Sequence, residues 1–296
     1  MSLFKNELRK KYIKDLANTT ANANIPFQSK IICQKLIDHI VSNENFKNIA
    51  VYMSQENEVD TTLLIKEIFK CKDKSVFLPI CTNTNITKQD NIIIFPAEHK
   101  FKDGIKYKEI PPRQHHLIFK KIKNFQEIED MKPVGRYKIR EPPLDPMVDE
   151  LNHVTTPHTK IDLVIVPAVI LDEVTKMRIG YGKGYYDDFV KRFLYSNWKE
   201  KHGNDPIETL LAIELFKTWK ESEFKQHFLP EHFQNDKSLS KYIESYLKVK
   251  KEWESVNKGL WFTPLLVGIA LKEQIKQGKV LKEELHDWEM DLIIPS

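Results

Sequence analysis

The stretch Arg178-Ile-Gly-Tyr-Gly-Lys-Gly-Tyr-Tyr-Asp187 holds three of only nine glycines in a 296-residue chain, at alternate positions Gly180, Gly182 and Gly184. Glycine accepts positive φ and lets a ligand come close to the backbone. Upstream lies the apolar run Ile161-Asp-Leu-Val-Ile-Val-Pro167, which reads as a buried strand. Downstream, Phe189, Val190 and Phe193 recur at helical spacing after Asp187-Asp188. A glycine-rich turn from strand to helix offers free N–H groups and a helix N-terminus to an anion. Lys183 adds a point charge and Arg178 a planar fork. Asp187 is a hard oxygen donor suited to Mg²⁺. These are the parts of a site for a nucleoside triphosphate and its metal. The spacing is neither G-x-G-x-x-G nor the P-loop pattern, so a flexible loop with aromatic packing remains open on spacing alone.

Hydrophobic residues at 41% and charged residues at 30% are the balance of a globular chain rather than a disordered one. A net charge of +4 is small for this length and does not mark a nucleic-acid binder. No apolar run approaches the length of a transmembrane helix, and the N-terminus lacks a secretory hydrophobic region. Cys33, Cys71 and Cys81 have no C-x-x-C spacing, which points to a reducing compartment and an expected cytoplasmic location. The basic N-terminus also fits a mitochondrial presequence, but Glu7 and Asp15 interrupt it.

Residues 2–19 read as a helix, with Phe4, Leu8, Tyr12 and Leu16 on one face and Lys5 and Arg9 one turn apart. Those two cations suit a polyphosphate; an ordinary solvated face beside Lys10 and Lys11 is the plainer alternative. A second helix is expected over 27–43 and a strand over 48–53. The polar loop 54–60 precedes a helix capped by Thr61 or Thr62. Ligands in open α/β sheets bind beyond the carboxyl ends of strands, where Glu58 falls, although loop solvation explains it equally simply. Further strands are expected over 75–79, ending at Pro79, and over 91–95, with a short helix in 123–132. Strands alternating with helices indicate an α/β fold.

The decapeptide closely resembles the signature R-x-G-x-G-K-G-Y-Y-D of the 5-formyltetrahydrofolate cyclo-ligase family, and Asp162-Leu-Val-Ile-Val-Pro167 is similar to that family's preceding strand. Lys5-Asn-Glu-Leu-Arg9 resembles the family's opening K-x-x-[LM]-R, which implies that Lys5 and Arg9 contact ATP. Glu58 matches a pterin-binding Glu and Met53 a hydrophobic residue lining the folate pocket. Val134-Gly-Arg-Tyr-Lys-Ile-Arg-Glu-Pro142 resembles the segment whose aromatic residue, here Tyr137, stacks on the pterin; Glu141 matches its acidic position. Near the end, Val280 to Asp291 resembles v-x-x-E-x-H-D-x-x-[LM]-D, which implies that Asp287 joins Asp187 in holding Mg²⁺. The resemblance recurs in order over residues 5–190 and 264–294.

What the resemblance implies is an α/β enzyme, a three-layer α/β/α Rossmann-like fold with a mostly parallel central sheet. One domain over 1–296 is expected, with a helical insertion at 194–262. The implied reaction is the ATP- and Mg²⁺-dependent conversion of 5-formyltetrahydrofolate to 5,10-methenyltetrahydrofolate. Arg178, Lys183 and Tyr185 are the expected catalytic group. ATP is expected against Lys5, Arg9 and the loop from Arg178 through Gly180 to Tyr186. The folate is expected against Met53, Glu58, Tyr137 and the loop from Tyr181 to Tyr185. Beyond these two small molecules, neither nucleic acid nor membrane is an expected partner, and a monomer is expected. The alternative is a non-catalytic relative that binds folate or ATP as an adaptor.

Residues 194–262 exceed the equivalent connection in compact family members. Asp205-Pro206 is a good helix start, so helices are expected over 206–225 and 237–255. Thr209-Leu-Leu-Ala-Ile-Glu-Leu-Phe-Lys217 resembles the family's last strand, but Leu265-Leu-Val-Gly-Ile-Ala270 resembles it better and is expected to be the true strand.

Overall fold

The structure, a computed structural model, describes residues 3–20, 24–83, 94–96, 107–109, 115–135, 138–143, 160–202, 212–213, 215–220, 222–223, 236–257, 262–281 and 287–296. Helix α1 (Leu3–Thr20) is followed by α2 (Ile25–Leu36), which widens into one π turn at Ile37–Val41. Asn24 caps α2 by accepting from the Phe27 N–H, and Pro26 sits in the first turn, where no N–H is needed. Strand β1 (Asn48–Ala50), helix α3 (Thr62–Lys70) and strand β2 (Ser75–Asn83) come next. A small antiparallel pair, β3 (Ile94–Pro96) and β4 (Tyr107–Glu109), precedes β5 (His115–Ile122) and helix α4 (Phe125–Asp130). Short strands β6 (Pro133–Val134) and β7 (Ile139–Arg140) pair with each other. Then β8 (Leu163–Pro167), β9 (Ile170–Asp172) and β10 (Arg178–Ile179) lead into helix α5 (Tyr185–His202). Helical residues 215–220 and helix α6 (Asp236–Val256) lie between α5 and β11 (Leu265–Ala270). Strands β12 (Ile275–Lys276) and β13 (Leu292–Pro295) close the chain.

Six strands form the central sheet in the order β13-β11-β8-β1-β2-β5. Every pairing in it is parallel except β2 with β5. Parallel strands need cover on both faces, which is why β8 and β11 read as unbroken apolar runs rather than alternating ones. Ile32 and Leu36 of α2, Leu64 and Ile68 of α3, and Phe189 and Val190 of α5 share one core with the sheet. This is the expected three-layer α/β fold with a mostly parallel centre. Among the described residues, no helix is long and apolar enough to cross a membrane.

Two buried carboxylates tie the amino-terminal ends of the strands together. Asp162 accepts from the Lys47 and Asn48 N–H groups at 3.1 and 2.9 Å and faces the Lys250 ammonium at 3.6 Å. Burial lowers the pKa of that lysine, and the Asp162 charge works against the loss. Asp291 does the same one layer along, accepting from the Leu266 N–H at 2.9 Å and pairing with Lys220 at 2.7 Å.

The structure corrects two expectations and tests part of a third. Pro79 does not end β2; it pairs with Phe119, in a part of the strand beyond its β1 register at Phe77, and an edge tolerates proline. Neither threonine caps α3 through its side chain. Thr61 is fully buried and its hydroxyl donates to the Tyr52 carbonyl, while Asp60 accepts from the Thr62 N–H at 2.9 Å. Of the strand expected over 91–95, Ile94 and Phe95 lie in β3 and the rest lies outside the described residues. The choice between the two candidate last strands holds: residues 212–213 and 215–217 are helical, while β11 pairs with β8.

The connection between α5 and β11 packs through an aromatic cluster. Trp198 meets Phe216 edge-on at 5.1 Å and stacks with Trp253 at 5.9 Å, and Phe216 meets Phe262 at 5.3 Å. Trp198 is almost fully buried. We expect Trp198→Ala to destabilise the protein by about 3–5 kcal/mol, read from urea unfolding followed by circular dichroism. A loss below ~1 kcal/mol would show that the cluster is not part of the core.

Candidate active site

Strand β1 continues to β2 on one side and has β8 on the other, so the sheet changes direction between β1 and β8. At such a switch point the connections beyond the carboxyl ends of the strands diverge and leave a crevice. A cavity of about 390 Å³ opens there. Met53, beyond the end of β1, and Pro167 to Val169, at the end of β8, form its floor. The glycine loop 180–184 and the start of α5 form one wall, and α1 lends Lys5 and Arg9.

The loop takes its shape from its glycines. Gly182 has φ of +95° and Gly184 of +60°, both in the region side chains disfavour. A Cβ on Gly182 would stand 3.1 Å from the Arg9 side chain, and one on Gly180 would stand 3.1 Å from Arg178 Nη1. The glycines thus make room for two guanidinium groups. Arg9 Nε donates to the Gly180 carbonyl at 3.0 Å, which seats α1 against the loop. Lys183 is exposed at the cavity wall.

Charges of both signs meet here. Lys5 and Asp287 form an ion pair, and Arg178 Nη2 pairs with Asp187 Oδ2 at 3.0 Å. The Trp288 N–H donates to the other Asp187 oxygen at 3.0 Å. Arg178 Nε is buried without a hydrogen-bond partner, a donor left for an anion. The Arg178 guanidinium also lies 5.3 Å from the Tyr186 ring centre. With Arg9, Lys183 and Arg140, five cationic side chains line the cavity beside the start of α5, an arrangement suited to phosphate.

The cavity also has apolar lining. Met53 and Leu117 border it, and Glu58 is only 5% exposed. Burial pushes the Glu58 carboxyl up to about 7, although the Gln55 N–H donates to it at 2.9 Å. Protonated, Glu58 both donates and accepts, as a flat heterocycle with neighbouring N–H and carbonyl groups requires. Tyr181 and Tyr185 flank the opening.

The structure therefore brings to one cavity Lys5, Arg9, Met53, Glu58, the loop from Arg178 through Tyr186, Asp187 and Asp287. Tyr137 lies outside the described residues. Gln55, Cys81 and Arg140 also line the cavity and were not picked out from sequence. Cys81 sits near the carboxyl end of β2, so the switch-point rule would have flagged it had β2 not been ended at Pro79. Burial and the neighbouring Glu141 push its thiol up to about 12, so it is no nucleophile at neutral pH.

Asp187 and Asp287 are the two aspartates that line the cavity, each paired with a cation. Among the described residues, no group of three or more His, Cys, Asp and Glu side chains could hold a metal. Two carboxylates do not make a protein cage, but they suit Mg²⁺, which keeps waters and takes further oxygens from phosphate. The donor set fits Mg²⁺ arriving with a triphosphate.

The Glu58 carboxyl gives a pH signature. Its pKa is about 7 when folded against 4.5 for the free side chain, so the folded state holds the proton more tightly. The resulting stabilisation is fully present below about pH 4.5 and is lost as pH rises through about 7. From about pH 5 to about pH 8, wild type should lose about 2–3 kcal/mol relative to Glu58→Gln, measured by urea unfolding. Parallel pH profiles for the two proteins would mean that Glu58 titrates normally.

Known proteins resemble the chain over the same features. The model of the 5-formyltetrahydrofolate cyclo-ligase family matches residues 2–218. A 5-formyltetrahydrofolate cyclo-ligase of Saccharomyces cerevisiae is 31% identical over 188 residues, covering 63% of this chain and 76% of that protein. A probable 5-formyltetrahydrofolate cyclo-ligase of Schizosaccharomyces pombe is 27% identical over 208 residues, covering 69% and 80%. The solved 5,10-methenyltetrahydrofolate synthetase of Aquifex aeolicus aligns with a TM-score of 0.48 at 18% identity, covering 99% of this chain and 90% of that one. The matched range takes in α1 and the whole glycine loop, and with that extent of agreement the chain belongs to the 5-formyltetrahydrofolate cyclo-ligase family of enzymes.

Proposed function

We propose that this protein converts 5-formyltetrahydrofolate to 5,10-methenyltetrahydrofolate, using ATP and releasing ADP and phosphate. The observation that carries the reading is one cavity lined both by a cationic glycine loop and by a buried, protonatable Glu58. The cations suit a triphosphate and Glu58 suits a pterin, so the two reactants would share this cavity.

The chemistry needs no side-chain nucleophile. The formyl oxygen is a poor leaving group. It attacks the γ-phosphorus, the bond from that phosphorus to the β,γ-bridging oxygen breaks, and ADP leaves. N10 then attacks the activated carbon, loses its proton, and expels the former formyl oxygen as phosphate. The protein aligns the reactants and neutralises charge. Lys5, Arg9, Arg178 and Lys183 hold phosphate oxygens with the loop N–H groups. Tyr185 and Tyr181 border both ligands. Glu58 orients the pterin, Met53 packs against it, and Tyr137 is the proposed stacking ring. Asp187 and Asp287 would hold Mg²⁺, which when bound supplies positive charge to the transferring phosphoryl group.

The ion pairs shape the order of events. Releasing Lys5 and Arg178 to phosphate strips two carboxylates of their partners, and a divalent cation restores the balance. Nucleotide and metal therefore bind best together.

Turnover is tested with Mg²⁺-ATP and 5-formyltetrahydrofolate, following methenyl absorbance and coupled ADP release. Wild type should form the two products in equal amounts. Lys183→Ala and Asp187→Ala should each lower kcat/KM by about 100-fold or more. A folded wild type that binds both ligands without turnover would instead be the non-catalytic binding relative. Gly182→Ala crowds Arg9 and strains a positive φ, so it should raise the KM for ATP while leaving that for the folate within about twofold. Equal changes in both constants would refute the assignment of this loop to the nucleotide.

A further inference from the structure

Residues 287–291 run from the cavity to the start of β13, and side chains from the connection between α5 and β11 hold both ends. At the far end, Lys220 pairs with Asp291 at 2.7 Å and donates to Thr263 Oγ1 at 2.7 Å. Tyr242 of α6 donates its hydroxyl to the Asp291 carbonyl at 2.7 Å. At the near end, Lys217, one helical turn before Lys220, donates to the Asp287 carbonyl at 3.2 Å. Its ammonium also lies 5.8 Å from the Trp288 ring centre, and that indole is 3% exposed.

The carbonyl of Asp287 and the N–H of Trp288 belong to one peptide group. That group is planar and trans, so fixing the direction of its oxygen fixes the direction of its hydrogen. The oxygen accepts from Lys217; the hydrogen donates to Asp187 Oδ1 at 3.0 Å. A cation on the carbonyl also polarises the group and strengthens its N–H as a donor. One lysine from the long connection thus reaches both aspartates of the cavity through a single peptide group: Asp287 through its own backbone and Asp187 through this hydrogen bond.

We propose that Lys217 is a positioning residue for the Asp187–Asp287 pair, and that the connection between α5 and β11 braces the metal–nucleotide end of the site. The inference rests on the reading of that pair as the Mg²⁺ position. Lys217 touches neither reactant. It acts as the outer partners of metal ligands do, whose removal lowers metal affinity by about 10- to 100-fold.

The test is calorimetric binding of a non-hydrolysable ATP analogue across a Mg²⁺ titration, with 5-formyltetrahydrofolate binding measured separately. Lys217→Ala should raise the Mg²⁺ concentration for half-maximal analogue binding about tenfold and leave folate affinity unchanged. Lys217→Arg, which keeps a donor, should restore most of the metal dependence. Thermal melts of both variants separate loss of positioning from loss of fold. An unchanged Mg²⁺ midpoint in Lys217→Ala, or equal losses in the Ala and Arg variants, would overturn the proposal. So would matching losses of nucleotide and folate binding. A wild-type protein whose analogue binding ignores Mg²⁺ would remove the reading of the carboxylate pair itself, and the brace with it.

Discussion

Opposite charges that neutralise one another across the cavity hold this structure's purpose and its architecture together. Lys5 comes from the first helix, Arg178 from β10, Asp187 from α5 and Asp287 from the last segment. Buried charges are tolerated only with partners, so each of these elements depends on the others being in place. The loop's glycines follow from that requirement, because two guanidinium groups must pass close to its backbone. So does the position of α1, seated by Arg9 on the Gly180 carbonyl.

Local rules made much of this legible. Strand β8 and helix α5 announce themselves through apolar runs and spacing, and the glycine loop between them has no simpler use than close approach. The choice of β11 over residues 209–217 came from the family resemblance rather than from a local rule, and β11 does pair with β8. Pro79 misled because the sequence does not say where β1 stops covering β2. Thr61 misled because a hydroxyl chooses among acceptors that only the folded chain supplies. Gln55 and Arg140 reach the cavity through tertiary placement, which no spacing encodes.

The segment between α5 and β11 carries lysines inward rather than leaving all of them on a solvated face. Lys250 meets Asp162 and Lys220 meets Asp291, each where a buried carboxylate already accepts backbone N–H groups. A carboxylate in that position gathers the strand ends, and a cation balances its charge. Aromatic packing around Trp198 and Phe216 then excludes water from the region beside these pairs. Among the described residues of this stretch, Lys220 and Lys250 are buried and Trp219 and Trp253 pack against the core.

The sheet order has a consequence for the chain as it is made. Strand β8 receives β11 as its neighbour only after the whole connection 203–262 has been synthesised, and Asp287 follows later still. Until then the nascent protein displays an unpaired apolar edge, the kind of surface that recruits the wrong strand. A ribosome carrying this chain holds a half-built sheet whose cationic loop has not yet met its last counter-charge. Protection of β8 during that interval falls to whatever shields nascent edges, and the elongation rate through the connection sets how long the exposure lasts.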